Sequence, residues 1–472
     1  MKDKSLRILI TPNVAVPYDL RMVRGLAKGF NSIGHFAYPS AYPLSSKNLV
    51  KQCEALSIDV LVQVNRVRDP NVPLPKNMRH VSWYQDVYLE TSNSFSDIFH
   101  SSDILYTLGD PNVLGIKDTV PCYMSHLFTG VDPATSKFSL RGTEQNIDFS
   151  LCGGLPGPIN IVPNYEADIL WFLDNLVQSI PFLGKTNVFW ILRKLLFSKR
   201  LPVNYLPYFI ILKMVESTKI YYKPLRGDLD IHALSENILN QLDNCKGALD
   251  GKIIQRPYKI NKSVANFFKP YAKRTLGRRD LLSRLIRYIA NESEYFKETN
   301  LTPIQQGLNY FAQSYPRILD RMMLVEMATK ISSNLQIYGP GWDGHEFGHP
   351  YFKGVLETED ELLSVYLRSK INLSNNNHGL GLHSRTLECM AVGGFIFLHE
   401  SPHDDKVGGI LSEFEPNEHY GSFTPENFQA EAIRWLGDEK KRKEVGRKAS
   451  LIIHERHCWH HRAQQIINDL NR

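Results

Sequence analysis

Short apolar runs alternate with stretches of helical period along the first third of the chain. Arg7–Thr11 is an apolar run, followed by a loop at Asn13–Tyr18 with prolines close by. Val23, Leu26, Ala27 and Phe30 then recur at i, i+3, i+4, i+7, the stripe of an amphipathic helix. Asp59–Val64, His80–Tyr84, Asp103–Leu108 and Val120–Met124 are further apolar runs, each bounded by turn or polar residues. Strands spaced by helical stretches predict a parallel sheet with helices on both faces. This first lobe is predicted over residues 1–146.

Ile147–Cys152 reads as another strand, followed by Gly153-Gly154-Leu155-Pro156. The rhythm then changes. Residues 165–314 are long, helix-like, aromatic and basic, with little strand signal, and read as a helical insertion. The α/β pattern resumes with strands at Asn334–Tyr338, Ile371–Leu373 and Phe395–Leu398 and helices at Thr358–Ser369 and Ser384–Val392. The helix at Thr358 carries a capping box, Thr358 with Glu361 three residues on, and a core face of Leu362, Val365 and Tyr366. Pro425–Asn471 is predicted helical. The expected fold is therefore α/β with two Rossmann-like lobes, the second formed by 147–164 and 315–472 and interrupted by the insertion. Ligands of such sheets bind at the carboxyl ends of strands. The loops after Thr11, Tyr84, Cys152, Tyr338 and Leu373 are thus the candidates for function.

A chain of 472 residues, 43% hydrophobic and 22% charged, supports two or three packed domains and excludes wholesale disorder. A net charge of +6 gives no case for a nucleic-acid partner. No apolar leader or membrane-spanning run stands out, and the six cysteines form no CxxC pair. These features suggest reduced thiols and a cytoplasmic location.

The chemistry concentrates in Lys370–Glu400, where a strand ends in a polar loop that feeds a helix starting about Ser384. Gly379 and Gly381 allow close backbone approach to a ligand. Backbone N–H groups and the dipole at the helix start favour an anion such as a diphosphate. Ser384 and Arg385 lie in that first turn, and Arg385 can add a charge-assisted bond. Glu388 lies one turn along the face of Arg385, where a carboxylate can accept from the vicinal hydroxyls of a ribose. Leu387, Met390 and Ala391 form the buried face, and Gly393-Gly394 ends the helix. An ordinary capped helix with an Arg–Glu pair would show the same short pattern.

This stretch resembles the donor site of group 1 glycosyltransferases of the two-lobed GT-B type. It is most similar to the spore-maturation-protein-type branch, with an Asn-rich loop, Ser-Arg-x-x-Glu and Gly-Gly. Tyr338-Gly339-Pro340-Gly341-Trp342 resembles the family's Tyr-Gly-x-Gly-Trp, and Phe352-Lys353-Gly354-Val355 its nucleobase loop. His457–Arg462 resembles its closing segment, and Trp83-Tyr84-Gln85-Asp86 and Gly130-Val131-Asp132-Pro133 resemble first-lobe signatures. The resemblance covers Lys330–Asn471 well and Met1–Pro156 loosely. It implies a nucleotide-sugar donor, with Glu388 on the ribose and Ser384, Arg385 and the Gly379–His383 backbone on the diphosphate. Gly339, Trp342, Val355 and Asn377 complete the implied donor site. Many retaining members carry a Glu-x7-Glu pair, whose first acid would fall at Leu380 here, so the stereochemical course stays open.

Other residues have two readings each. Asp19, between the first strand and helix, is a general base facing the acceptor or a helix N-cap. Asp86 is a second carboxylate for the cleft or a strand-end turn. His126 is a sugar contact or, more simply, a structural histidine. His454, His457, His460 and His461 surround Cys458; His457 and His461 have an i, i+4 zinc spacing, but packing on a lobe-crossing helix explains them better, and no metal site is assigned. Asp228-Leu229-Asp230 mimics a metal-binding pair but lies in the insertion. Val188–Leu212, with Arg193, Lys194, Lys199 and Arg200, together with Arg278, Arg279, Arg284 and Arg287, is a basic-rimmed subdomain core, a membrane-surface patch or a site for an anionic glycan.

The function expected is transfer of a sugar from a nucleotide-sugar to a glycan or lipid-linked acceptor, as in surface polysaccharide or glycoconjugate synthesis. No tightly bound cofactor is expected. Action at the inner face of the membrane follows if the acceptor is lipid-linked. A nucleotide-sugar epimerase of the same shape and a non-catalytic glycan- or nucleotide-binding protein are the alternatives.

Overall fold

The computed structural model describes residues 5–69, 72–75, 77–85, 99–111, 120–137, 143–155, 315–343, 348–375 and 381–472. Asp86, Asn377, Gly379, Leu380, the Asp228–Asp230 pattern and the 165–314 insertion with its basic patch lie outside these residues. The chain forms two compact units. One holds Met1–Cys152, Met327–Tyr338 and Val355–Arg472; the other holds Gly153–Glu326 and Gly339–Gly354.

The first unit contains two parallel sheets. Strands β1 (Arg7–Thr11), β2 (Phe36–Pro39), β3 (Val60–Val64), β4 (Arg79–Tyr84), β5 (Ile104–Thr107) and β6 (Tyr123–His126) form one, in the order β2-β1-β3-β4-β5-β6. Strands β7 (Ile147–Cys152), β8 (Leu335–Tyr338), β9 (Ser369–Ser374), β10 (Ile396–His399) and β11 (Gly421–Phe423) form the other, in the order β11-β10-β9-β7-β8. Each order reverses direction once, between β1 and β3 and between β7 and β9. Such a switch point opens a crevice at the carboxyl ends of the strands, because the crossovers on either side run to opposite faces.

The helices are α1 (Pro17–Ser32), α2 (Ser46–Ala55), α3 (Tyr315–Thr329), α4 (Glu359–Arg368), α5 (Ser384–Ala391), α6 (Phe428–Gly437), α7 (Glu439–Arg456) and α8 (Trp459–Leu470). The predicted stripe of α1 is buried in the core of the first sheet at Val23, Leu26, Ala27 and Phe30. The capping box of α4 forms as its sequence predicts, with Thr358 accepting from Glu361 N–H. Its core face is Leu363, Val365, Tyr366 and Leu367, while Leu362 is only partly buried. The segment predicted helical over Pro425–Asn471 forms three helices, with breaks at Asp438 and at His457-Cys458.

Helix α8 ties the two sheets together. It follows the second sheet in the chain, yet Trp459, Ala463, Ile466 and Leu470 lie in the core of the first. Gly25 and Gly29 of α1 and Gly130 make room for Trp459, since a Cβ on any of them would overlap it. At the second switch point, Asn372 of β9 is 2% exposed. Its Oδ1 accepts from Ser150 Oγ at 2.7 Å, and its Nδ2 donates to the carbonyls of Tyr366 and Phe395, both at 3.1 Å. Asn372→Leu leaves the Ser150 hydroxyl and the Tyr366 carbonyl buried without this partner. It is expected to lower stability by about 2 kcal/mol in urea denaturation.

In the second unit, the loop after β8 folds against the Gly153–Leu155 turn. Gly339 and Gly341 have φ of 128° and 89°, left-handed values that favour glycine, and a Cβ on either would meet the backbone of residues 153–155. Leu155 N–H donates to Pro340 O at 2.8 Å. Trp342 is fully buried, with its indole N–H donating to Gly153 O at 2.7 Å.

Candidate functional site

Helix α5 stands at the carboxyl ends of β7 and β9, the second switch point. It ties itself there through Arg385, whose Nη1 donates to the carbonyl of Cys152, the last residue of β7, at 2.6 Å. His383 is the N-cap, and its Nδ1 accepts from the Arg385 N–H at 3.3 Å. Its ring stands 6.0 Å from that of Tyr18 on α1. Histidine at an N-cap does the work that serine or aspartate usually does, supplying an acceptor to an otherwise open backbone N–H.

Ser384 and Glu388 are four residues apart on α5 and so stack on one face. Both are buried, at 1% and 5% exposure. Among the described residues, Ser384 Oγ and Glu388 Oε2 have no hydrogen-bond partner. Buried polar oxygens without partners are uncommon, and two on one helix face need an explanation. A ligand with phosphate oxygens and hydroxyl groups would satisfy both. The other carboxylate oxygen, Glu388 Oε1, pairs with Arg21 Nη2 of α1 at 3.1 Å. Burial raises Glu388 above the ordinary carboxylate range; Arg21 and Arg385 pull it down and Glu359 pushes it up. Burial acts to lower the Arg21 guanidinium, but Glu388, Glu359, Tyr366 and Tyr18 together outweigh it and the net shift is upward.

Arg21 was not a candidate from sequence. It lies in α1 of the first sheet, far along the chain from Glu388, and its only local signal is a positive charge on the face beside Tyr18. The Arg385–Glu388 pair of the ordinary capped-helix alternative does not form; Glu388 pairs with Arg21 instead.

The structure distributes the other predicted residues differently. Gly381 has φ of 91°, and a Cβ there would overlap the Leu108 carbonyl. Its close approach is therefore to the backbone after β5. Val355 is 52% exposed, an uncovered apolar side chain beside α4. Gly339 and Trp342 shape their own loop, and the indole of Trp342 offers no exposed face. Asp19 is neither an N-cap nor open to the solvent. The N-cap of α1 is Val16, without a side-chain bond, while Asp19 sits in the first turn, 8% exposed. Its Oδ2 accepts from Val14 N–H at 3.1 Å, which holds the loop after β1 against the helix.

His126 packs inside the fold. Its Nε2 bonds to Leu108 O at 2.8 Å, its ring meets Phe128 edge-on, and burial lowers it to about 4. Around the turn between α7 and α8, Cys458, His460 and His461 hold possible ligand atoms within 4.8 Å of one another. His461 Nδ1, however, accepts from Cys458 N–H at 3.1 Å. The neutral ring then carries its proton on Nε2 and has no free lone pair for a metal. His457 Nδ1 accepts from Arg462 Nη2 at 2.7 Å and its ring stacks on Phe414. The histidines are the hydrogen-bonded turn that sends α8 toward the first sheet.

The sequence profile of a family described as glycosyl transferase-like matches residues 317–468. No curated protein matches the sequence. Among solved structures, AviGT4, a glycosyltransferase of avilamycin A biosynthesis, is similar with a TM-score of 0.47 and 11% identity, over 99% of this chain and 97% of its own. A glycosyltransferase from Rickettsia africae ESF-5 has a TM-score of 0.42 and 10% identity, over 99% and 98%. Anabaena HepE, solved in complex with UDP, has a TM-score of 0.41 and 8% identity, over 99% and 100%. Among the described residues no helix is long and apolar enough to cross a membrane. The family match contains β8 to β11 and α5 with its buried Ser384 and Glu388. The described residues thus form two parallel α/β sheets, and residues 317–468, which carry the second of them from β8 onward, are similar to a glycosyl transferase-like family.

Proposed function

We propose that the chain transfers a sugar from a nucleotide-sugar to a hydroxyl of a glycan or lipid-linked acceptor, with the donor held at α5. The observation that carries this is the pair of unpartnered buried oxygens, Ser384 Oγ and Glu388 Oε2, on one face of a helix that starts at a switch point. Glu388 Oε2 accepts from a ribose hydroxyl. Ser384 Oγ and the first-turn N–H groups receive the diphosphate, with Arg385 beside them.

In the reaction the bond from the sugar's anomeric carbon to the diphosphate oxygen breaks, and the electron pair leaves with the diphosphate. The acceptor oxygen bonds the same carbon and releases its proton to a base, for which Asp86, two residues after β4, is our candidate. Charge developing on the leaving diphosphate is stabilised by Arg385 and the helix start, which are in place before the reaction begins. These groups supply that stabilisation without a tightly bound cofactor. We place the protein in the spore-maturation-protein-type branch on its Ser384-Arg385-x-x-Glu388 and Gly393-Gly394 pattern. A lipid-linked acceptor would be met through the basic segment at the inner face of the membrane. An epimerase would consume donor with no acceptor present, which separates that reading.

Thermal unfolding against uridine, guanosine, adenosine, cytidine and thymidine diphosphates tests the donor site. A ligand at 100 times its Kd adds about 2.7 kcal/mol to stability. One nucleotide is expected to raise the Tm of the parent and to lose that effect in Glu388→Ala. No shift with any of them, or an equal shift in Glu388→Ala, overturns the assignment.

A further inference from the structure

Arg21 is carried by the first sheet's helix α1 and Glu388 by the second sheet's helix α5, yet they meet at 3.1 Å. Arg21 is one-third exposed at its side chain, whereas Glu388 is 6% exposed. The arrangement is unequal: one carboxylate oxygen is occupied and the other is buried and unpartnered. Left alone, a buried carboxylate takes up a proton, and a protonated Oε2 presents a donor where a hydroxyl needs an acceptor. An arginine on the opposite oxygen opposes that and favours the ionised form, and it fixes the direction of the free lone pairs.

We infer that Arg21 is a positioning residue for the donor. It holds Glu388 Oε1 so that Oε2 faces the ribose, which makes a site on the second lobe depend on a side chain of the first. This rests on the donor-site reading above and goes beyond it, because that reading places the site on the second lobe alone.

Among the described residues, the charged and titratable groups around Glu388 bear on the consequence. Arg21 and Tyr18 come from α1, Glu359 and Tyr366 from α4, Cys152 from β7, and Arg385 and Cys389 from α5 itself. Among the described residues, the two arginines are the groups that favour the ionised carboxylate. Without Arg21, burial and Glu359 act against Arg385 alone. The carboxyl then holds its proton to higher pH, and donor affinity gains a pH dependence: weak below the raised value, recovering above it.

Calorimetric titration with the nucleoside diphosphate that stabilises the parent most, from pH 6 to pH 9, tests this. Arg21→Ala is expected to weaken binding about tenfold near neutral pH, the equivalent of roughly 1.4 kcal/mol, with the gap narrowing as pH rises. Arg21→Lys restores the charge without the planar fork and is expected to recover part of the affinity. Melting without ligand establishes that each variant is folded, and Arg21→Gln replaces the alanine variant if that one is not. Parent-like affinity and pH profile in Arg21→Ala, with binding lost in Glu388→Ala, overturns the role of Arg21 and leaves the donor site standing. Parent-like affinity in Glu388→Ala removes the donor site itself, and this inference with it.

Discussion

Trp459→Ala is expected to cost about 3–5 kcal/mol of stability, the range for emptying a large aromatic from a packed core. Trp459 is 5% exposed and meets the ring of Trp83 edge-on, with centroids 6.4 Å apart. Its surroundings cannot close over the space it leaves. Gly25, Gly29 and Gly130 have no side chains to swing inward, and the backbone on both sides is fixed. Val131 N–H donates to His457 O at 3.0 Å, and Trp459 N–H to Val131 O at 3.1 Å. Chemical denaturation followed by tryptophan-independent circular dichroism measures the effect. Gly29→Ala tests the same contact from the other side. A Cβ at Gly29 overlaps the main chain of Trp459, which cannot turn away, whereas at Gly25 it meets the movable indole. A loss under about 1 kcal/mol for Trp459→Ala would mean that α8 contributes little to the first core.

The second large effect is on rate. Arg385→Met is expected to lower turnover about 100- to 1,000-fold, the usual consequence of removing one preorganised group from a site of developing negative charge. The guanidinium is held by its bond to the Cys152 carbonyl, so its remaining N–H groups are aimed before donor arrives. Slow hydrolysis of the nucleotide-sugar to free sugar and nucleoside diphosphate gives a readout that needs no acceptor. Arg385→Lys keeps a charge but cannot bond Cys152 and a phosphate oxygen together, so most of the loss should persist. A loss below about fivefold would reduce Arg385 to a tie between α5 and β7.

Both effects rest on residues whose importance is unevenly written in the sequence. The strands with buried faces, Arg7–Thr11 and Ile147–Cys152, appear where their apolar runs put them, and the α4 capping box forms from Thr358 and Glu361. Local patterns suffice there because the forces are local. The edges of the sheets are harder to read. Strand β6 is Tyr123–His126, later than the apolar run at Val120–Met124, because an edge strand is only half covered and tolerates Ser125 and His126. Strands β2 and β11 are too short to show a period. The motif around α5 could be read from Ser384, Arg385 and Glu388. The partner of Glu388 could not, since Arg21 reaches it only through the packing of two helices far apart in the chain. Gly25 and Gly29 likewise look like weak points in a helix until the indole of Trp459 is placed against them.

The return of α8 also orders events in time. Synthesis lays down α1 and the first sheet early, with an unfilled socket at Gly25, Gly29 and Gly130. The residues that fill it, Trp459 to Leu470, are made only after the whole second sheet. A ribosome making this chain therefore carries a nearly finished lobe with an open apolar seam while everything between is being made. Folding proceeds outward from the first lobe but is sealed there too, and a chain stopped before Trp459 exposes a surface prone to association.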